Sequence, residues 1–403
     1  MKTYFIITLL SISILSGCGT VETKANLGNK SPIIANAGYG TKAKVPPVKK
    51  KVKKNAKKSD IWNRISKGYK LSSINNWRIK RFENKMLSSS SYFTRISRNA
   101  GPYLYHIVRE VEKRGMPLEI ALLPAIESAF KPLALSSKRA AGLWQFMPGT
   151  GRDYGLRQNY SYDGRRDIIK STTAALDYLQ ELEDIFGGDW LLALAAYNYG
   201  PGNVLKALHR NERQGRATDY WSLRLPRETS EYVPKLLAFA KIVANHKKYG
   251  MKLPHIANKP YFQRIYVGRQ IELSLAAQLA GISWGQFKLL NPAYKRKMTV
   301  AYGQHQIVLP IRQARRFKQR LAKIPSGVRL VQASMPNRRI RRTARTGSTM
   351  QQHRVKQGDN LFTIAERYKT TVIRLRALNP TKYNNLKVGD YLRVPSRVAM
   401  LEK

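Results

Sequence analysis

Glu127 is the residue of this 403-residue chain whose surroundings could make a carboxylate chemically unusual. It follows the run Ala121-Leu122-Leu123-Pro124-Ala125-Ile126 and precedes Ser128-Ala129-Phe130. A carboxylate in apolar surroundings is either paired or held neutral with a raised pKa. The neutral form is what a general acid needs in order to protonate a leaving oxygen. Alone, the residue carries little weight, because most glutamates are surface charges. Further clusters follow it in order: Ser136, then Gly142-Leu143-Trp144-Gln145-Phe146-Met147-Pro148; Ala195-Ala196-Tyr197-Asn198-Tyr199-Gly200-Pro201-Gly202; and Glu228-Thr229-Ser230-Glu231-Tyr232-Val233. The next acidic residue after Glu127 is Asp153, in a stretch bounded by Gly151 and Gly155 that reads as a turn.

The elements that must hold these residues are helical from Ile61 to Tyr249. Tyr103, Ile107, Val108 and Val111 repeat at helical spacing before Gly115, and Pro117 opens a second run from Leu118 to Ser128. Ala174, Ala175, Tyr178, Leu179, Leu182 and Ile185 share one helix face, with Ser171 expected as the N-cap and Gly187 as the stop. Asp189 is expected to cap Trp190 to Tyr197, and Glu228 to His246 reads as a further long helix. Beyond it lies an internal repeat, residues 263–310 and 351–396. Leu273, Ala276-Ala277, Phe287 and Leu290-Asn291-Pro292 recur as Leu361, Ile364-Ala365, Leu375 and Leu378-Asn379-Pro380, each 88 positions later. Each unit reads strand, helix, helix, strand. The basic stretch between them, which includes Arg338-Arg339-Ile340-Arg341-Arg342, reads mostly as linker.

The four ordered motifs from Glu127-Ser128 to Tyr232-Val233 together resemble the soluble lytic transglycosylase family, which has a lysozyme-like helical domain. Trp144 stands where that family usually carries Met. The C-terminal unit, with Val355-Lys356-Gln357-Gly358-Asp359, Leu378-Asn379-Pro380 and Val388-Gly389-Asp390, resembles the LysM module, which binds N-acetylglucosamine-containing glycans. The expected fold class is therefore a mainly α lysozyme-like catalytic domain followed by small α+β (βααβ) LysM modules. The expected organisation is a lipoprotein signal peptide (1–18), a basic tether (19–59), the catalytic domain (60–255), a degenerate LysM-like module (260–311), a basic linker (312–350) and a LysM domain (351–396).

The transglycosylase resemblance implies that Glu127 protonates the bond between N-acetylmuramic acid and N-acetylglucosamine, then deprotonates the muramyl C6 hydroxyl, leaving a 1,6-anhydromuramyl end. It implies substrate contacts for Ser136, Gln145, Met147, Tyr197, Asn198 and Tyr232, with Glu228 either a subsite residue or a carboxylate favoured by its helix N-terminus. The LysM resemblance implies a glycan groove at Gly358, Asp359, Asn360, Leu361, Asn379, Pro380 and Thr381. The earlier unit has Gly268-Arg269-Gln270 in place of Gly-Asp, which leaves sugar binding there open. Most glycosidases use two carboxylates. A hydroxyl of the same sugar gains a large effective molarity, so one carboxylate suffices for intramolecular attack, and the gap from Glu127 to Asp153 fits that route. A hydrolytic muramidase and a non-catalytic wall-binding protein are the alternatives.

Lys and Arg number 73 against 24 Asp and Glu, a formal net charge of +49. Such a charge bears on partners and not on fold, and admits nucleic acid, anionic lipid or an acidic wall. A short basic start, the apolar run Tyr4 to Leu15 and then Leu15-Ser16-Gly17-Cys18 resemble a lipoprotein signal, with Cys18 the lipidated residue and Gly19 implying the periplasmic side of the outer membrane. Export argues against nucleic acid and points to peptidoglycan and membrane as partners. With one cysteine and six scattered histidines, neither a disulfide framework nor a metal or other cofactor is expected.

Overall fold

The structure, a computed structural model, describes residues 60–325 and 350–396, with breaks at 72, 301–304, 358, 360, 369, 371–373, 376–377 and 380–385. Cys18, the tether, Gly358, Asn360, Pro380 and Thr381 lie outside the described residues. Among those described, no helix is long and apolar enough to cross a membrane.

Ten α-helices build the first part: α1 (Ile61–Lys67), α2 (Trp77–Leu87), α3 (Ser90–Ala100), α4 (Leu104–Glu112), α5 (Leu123–Ser128), α6 (Pro148–Asp153), α7 (Ile168–Ile185), α8 (Trp190–Tyr199), α9 (Pro201–Arg213) and α10 (Arg227–Ala244). A 3₁₀ turn, Leu118–Leu122, leads into α5. The hub is α8, whose Leu192 to Ala196 are all buried between α7 and α10. A helix apolar on every side must be enclosed by others. Asp189 starts it, its carboxylate accepting from Leu191 and Leu192 N–H at 2.8 and 3.0 Å. The N-cap of α7 is not Ser171. Asp167 accepts from Ile169 and Lys170 N–H at 3.0 and 2.8 Å, and Ser171 is fully buried one turn inside. The charged acceptor upstream binds two amides of the first turn, so the helix begins earlier than the serine suggests. The two ends of the domain meet where Trp62 Nε1 donates to Pro254 O at 3.0 Å and Ile61 N to Ile256 O at 2.9 Å.

The next unit pairs β1 (Phe262–Tyr266) antiparallel with β2 (Gln306–Pro310), Phe262 opposite Pro310 and Tyr266 opposite Gln306, across α11 (Leu273–Ala280) and α12 (Trp284–Leu290). Its core is Ile265, Ile271, Phe287, Ile307 and Leu309. The stretch read as linker from 312 begins instead with a helix, α13 (Ile311–Leu321). Ala314 and Phe317 are spaced to share one face and are fully buried, with α13 packed along α11 and the strands; the other positions are largely charged, which masked this narrow apolar stripe in the sequence. The last unit repeats the plan with β3 (Met350–Arg354) antiparallel to β4 (Tyr391–Pro395), and α14 (Leu361–Arg367), over Val355, Ile364, Leu375, Leu392 and Val394.

The repeated asparagine has the same structural use in both copies. Asn291 donates to Phe287 O and Val308 O at 3.1 and 2.8 Å and accepts from Val308 N at 2.7 Å. Asn379 donates to Leu375 O and Arg393 O at 2.8 and 3.0 Å and accepts from Arg393 N at 2.7 Å. In each unit one amide thus ties the residue four positions earlier, Phe287 or Leu375, to the last strand.

Candidate active site

Glu127 occupies the last turn of α5, which stops there for a backbone reason. Ala129 and Phe130 both take positive φ, 50° and 53°. Two consecutive non-glycine residues in the left-handed region are strained, on the order of 1–3 kcal/mol each. The surroundings enforce them: Phe130 is buried and its N–H bonds to Pro124 O at 2.9 Å, while Asn99 Nδ2 holds Ala129 O at 2.9 Å. The helix thereby ends with the Glu127 carboxylate next to Tyr232, whose hydroxyl donates to Glu127 Oε1. Tyr232 is buried, and its own ionisation is pushed far up, first by burial and then by the charge of Glu127.

Burial raises the Glu127 pKa from an ordinary 4.5 to about 7. The Tyr232 hydrogen bond opposes that rise by favouring the carboxylate, and the negative charge of Glu228 adds to it. The group can therefore be neutral or ionised at neutral pH. Glu228 itself is exposed in the first turn of α10, four residues before Tyr232 and so on the same helix face.

The loop 134–146 supplies the second wall. Ala141 pairs with both Leu135 and Phe146. Ser128, beside Glu127, donates its hydroxyl to Leu143 O at 2.9 Å, which ties the loop to α5. Gln145 adopts φ 48°, and its Nε2 donates to Gly142 O at 2.8 Å, leaving its carbonyl oxygen to accept. Ser136 Oγ accepts from Ala140 N at 2.9 Å within its own turn. Met147 follows, 43 % exposed. Trp144, in the place of the resembling family's Met, points into the core, fully buried with Nε1 on Thr172 Oγ1 at 3.1 Å.

The third wall comes from α8. Tyr197 donates to Trp144 O at 2.8 Å, joining α8 to the loop beside Gln145, and its ionisation is raised first by burial and then by Glu127. Asn198 Oδ1 accepts from the buried Thr229 hydroxyl at 2.8 Å, which leaves its N–H₂ to donate. Gly200 ends α8 at φ 90°. The structure thus brings Glu127, Tyr197 and Tyr232 together, with Gln145 and Asn198 on the elements that adjoin them. No hydrogen bond joins Ser136 to Glu127. Among the described residues no group of three His, Cys, Asp or Glu is placed to hold a metal. The arrangement offers one neutral acid, phenols that shield it and amides that can bind an N-acetyl group.

Sequence reasoning missed the supports. Ser128 belonged to a visible Glu-Ser pair but its use as a tie was not readable. Thr229, Thr172 and Arg165 gave no signal, since each bonds a residue far away in the sequence, and Asp163 matters only through the Arg165 that it orients. In the C-terminal unit two expected glycan contacts have internal duties. The Asp359 side chain is enclosed; against desolvation, which alone would raise it, Lys356 N–H, His353 and Arg367 hold its pKa down at about 2. Asn379 has its amide fully engaged as described. Of the residues expected there, Leu361 starts α14 and packs on the unit's core.

The model of the Transglycosylase SLT domain matches residues 105–220. That of the LysM-like domain of lytic transglycosylase MltD matches 261–326, and that of the LysM domain 353–395. Membrane-bound lytic murein transglycosylase D of Escherichia coli strain K12 is 37% identical over 390 residues, covering 96% of this chain and 84% of that protein. A putative tributyltin chloride resistance protein of Alteromonas is 36% identical over 205 residues, half of this chain and 95% of its own length. The solved 70 kDa soluble lytic transglycosylase of Escherichia coli aligns at 25% identity over 38% of this chain and 25% of its own, with a TM-score of 0.29.

Proposed function

This chain belongs to the family of membrane-bound lytic murein transglycosylase D and is a peptidoglycan lytic transglycosylase, and we propose that Glu127 is its acid and then its base. Neutral Glu127 gives its proton to the oxygen linking N-acetylmuramic acid to N-acetylglucosamine, and that bond breaks. The carboxylate so formed takes the proton of the muramyl C6 hydroxyl as that oxygen closes on C1. The product is a 1,6-anhydro ring, Glu127 ends protonated, and no water is consumed. The observation that carries this reading is the Glu127 carboxyl enclosed beside Tyr232, whose hydroxyl donates to it, where burial pushes its pKa up to about 7.

The free acceptor of Gln145 and the free donor of Asn198 suit the two ends of an N-acetyl group. Tyr197 and Tyr232 enclose the carboxyl, Met147 offers an apolar wall, Ser136 is assigned a hydrogen bond near the departing or attacking oxygen, and Glu228 a supporting subsite role. Digests of purified peptidoglycan analysed by mass test the reaction type. Anhydro ends, each lighter by one water, support the intramolecular route, and reducing muramic acid ends would make the enzyme a hydrolase.

Cys18 is assigned as a lipid anchor that holds the enzyme at the periplasmic side of the outer membrane, and residues 351–396 as a glycan-binding module. The Leu-Ser-Gly-Cys sequence and the family membership support the first, the LysM match the second. Cys18→Ser should move the protein from the detergent phase to the soluble fraction; unchanged partition would refute the anchor.

A further inference from the structure

The unit built on β1 and β2 is joined to the helical domain by the loop that follows α12. The Asn-Pro of that loop, Asn291-Pro292, is the counterpart of Asn379-Pro380, where a LysM glycan groove is expected. In the first unit this edge is occupied by the chain itself. Asp163 N donates to Ala293 O at 2.8 Å, and Lys295 N donates to Ser161 O at 2.9 Å. Lys295 Nζ reaches Asn159 O at 2.9 Å. The rings of Tyr162 and Tyr294 meet edge to face, centroids 5.4 Å apart. The strap 159–163 is thus gripped by main-chain bonds, an ammonium and an aromatic pair.

The gripped strap ends at Asp163, which orients Arg165 against the loop 134–146. The Asp163 carboxylate binds Arg165 through Nε at 3.0 Å and Nη2 at 2.8 Å. With the guanidinium so oriented, Arg165 Nη1 donates to Arg139 O at 2.6 Å and Phe146 O at 3.1 Å. Phe146 adjoins Gln145, and Arg139 is the last residue of the turn that starts at Ser136. The Arg165 side chain is buried, so these bonds are held away from water, where charge-assisted bonds are strong. The fit is tight: a Cβ on Gly142 would stand 2.2 Å from Arg165 O.

We infer that the LysM-like unit is a positioning element of the active site, acting through Asp163 and Arg165 on loop 134–146 and so on Gln145 and Ser136. Its Asn-Pro edge serves this grip in place of glycan binding. Arg165 is a positioning residue, since it touches the loop and not the sugar. A displacement of about 1 Å in a group that aligns substrate can lower turnover roughly a hundredfold.

This inference rests on the proposed site, and its test separates the two. The double variant D163N/R165M removes both buried charges together, which avoids the penalty of leaving one unpaired. Y294A loosens the grip from the module side. Both are made in the full chain and compared with Glu127→Gln for turnover on purified peptidoglycan and for hydrogen exchange of the amides of 134–146. The expected result is a melting temperature that keeps both variants folded at the assay temperature, a kcat lower by about 10- to 100-fold with KM within about threefold, and faster exchange confined to the loop. R165K, which restores a cation and a donor, should recover part of kcat. Native kcat in folded D163N/R165M and Y294A, or exchange in the loop unchanged, overturns the inference. If either variant fails to fold, R165K decides alone: native kcat with native loop exchange overturns the inference, and lowered kcat with faster loop exchange upholds it. Full activity of Glu127→Gln would instead strike the acid/base reading and leave the exchange result standing.

Discussion

In the proposed reaction Glu127 and Tyr232 act as a pair, because each alters the proton affinity of the other. The alkaline limb of the rate profile should fall through pH 7 as the neutral acid is lost, the value being about 7. The Tyr232 hydroxyl favours the ionised carboxylate, so Tyr232→Phe should raise the Glu127 pKa and shift that limb to higher pH, read from kcat/KM across pH. The same shift bears on stability. Between about pH 4.5 and 7 the folded chain keeps a proton on Glu127 that the unfolded chain has released. Stability from this group therefore falls as pH rises through that window. Glu127→Gln should be more stable than the native enzyme at about pH 8 by on the order of 1–3 kcal/mol, and little changed near pH 4. Thermal unfolding at the two pH values checks it. The apolar run around Glu127 made an altered carboxyl readable from sequence. Its partner was not, because Tyr232 lies 105 positions away and only the fold joins them.

Elements position these groups through caps, strained turns and backbone ties. Gly142 takes φ 84° with Arg165 O against its Cα, so Gly142→Ala should destabilise by about 2–4 kcal/mol or displace the loop, seen as a lower melting temperature with reduced turnover. Asn379→Ala frees two carbonyls and an amide in the C-terminal unit, a loss of roughly 1–3 kcal/mol that limited proteolysis of that unit would register. The helical spacing of α4, the Asp189 cap of α8 and the strand-helix-helix-strand order around α11 and α12 were all legible, since each follows from local periodicity or a local acceptor. The start of α7 was misplaced because Ser171 and Asp167 are both good caps in a sequence, and only the structure shows which has amides to bind. The helix α13 hid because its apolar stripe is narrow among arginines.

At the scale of the molecule, a catalytic domain, a unit clamped onto it and a second unit of the same plan are carried on a strongly basic chain. The excess of 73 basic over 24 acidic residues should make retention on purified peptidoglycan fall as salt rises from about 50 to 500 mM, whereas a purely contact-driven association would not respond. The repeat was visible as a constant offset, but not that the stretch after Asn291-Pro292 would grip residues 159–163 of the helical domain, because that depends on what lies opposite. The central claim remains that one carboxyl performs both proton transfers, and it is tested most directly by incubating purified peptidoglycan with the native enzyme and with Glu127→Gln and measuring the release of 1,6-anhydromuramyl products. The account predicts that release falls by at least about 10²- to 10⁴-fold while the variant stays folded. Release of anhydro products at the native rate by folded Glu127→Gln would contradict it.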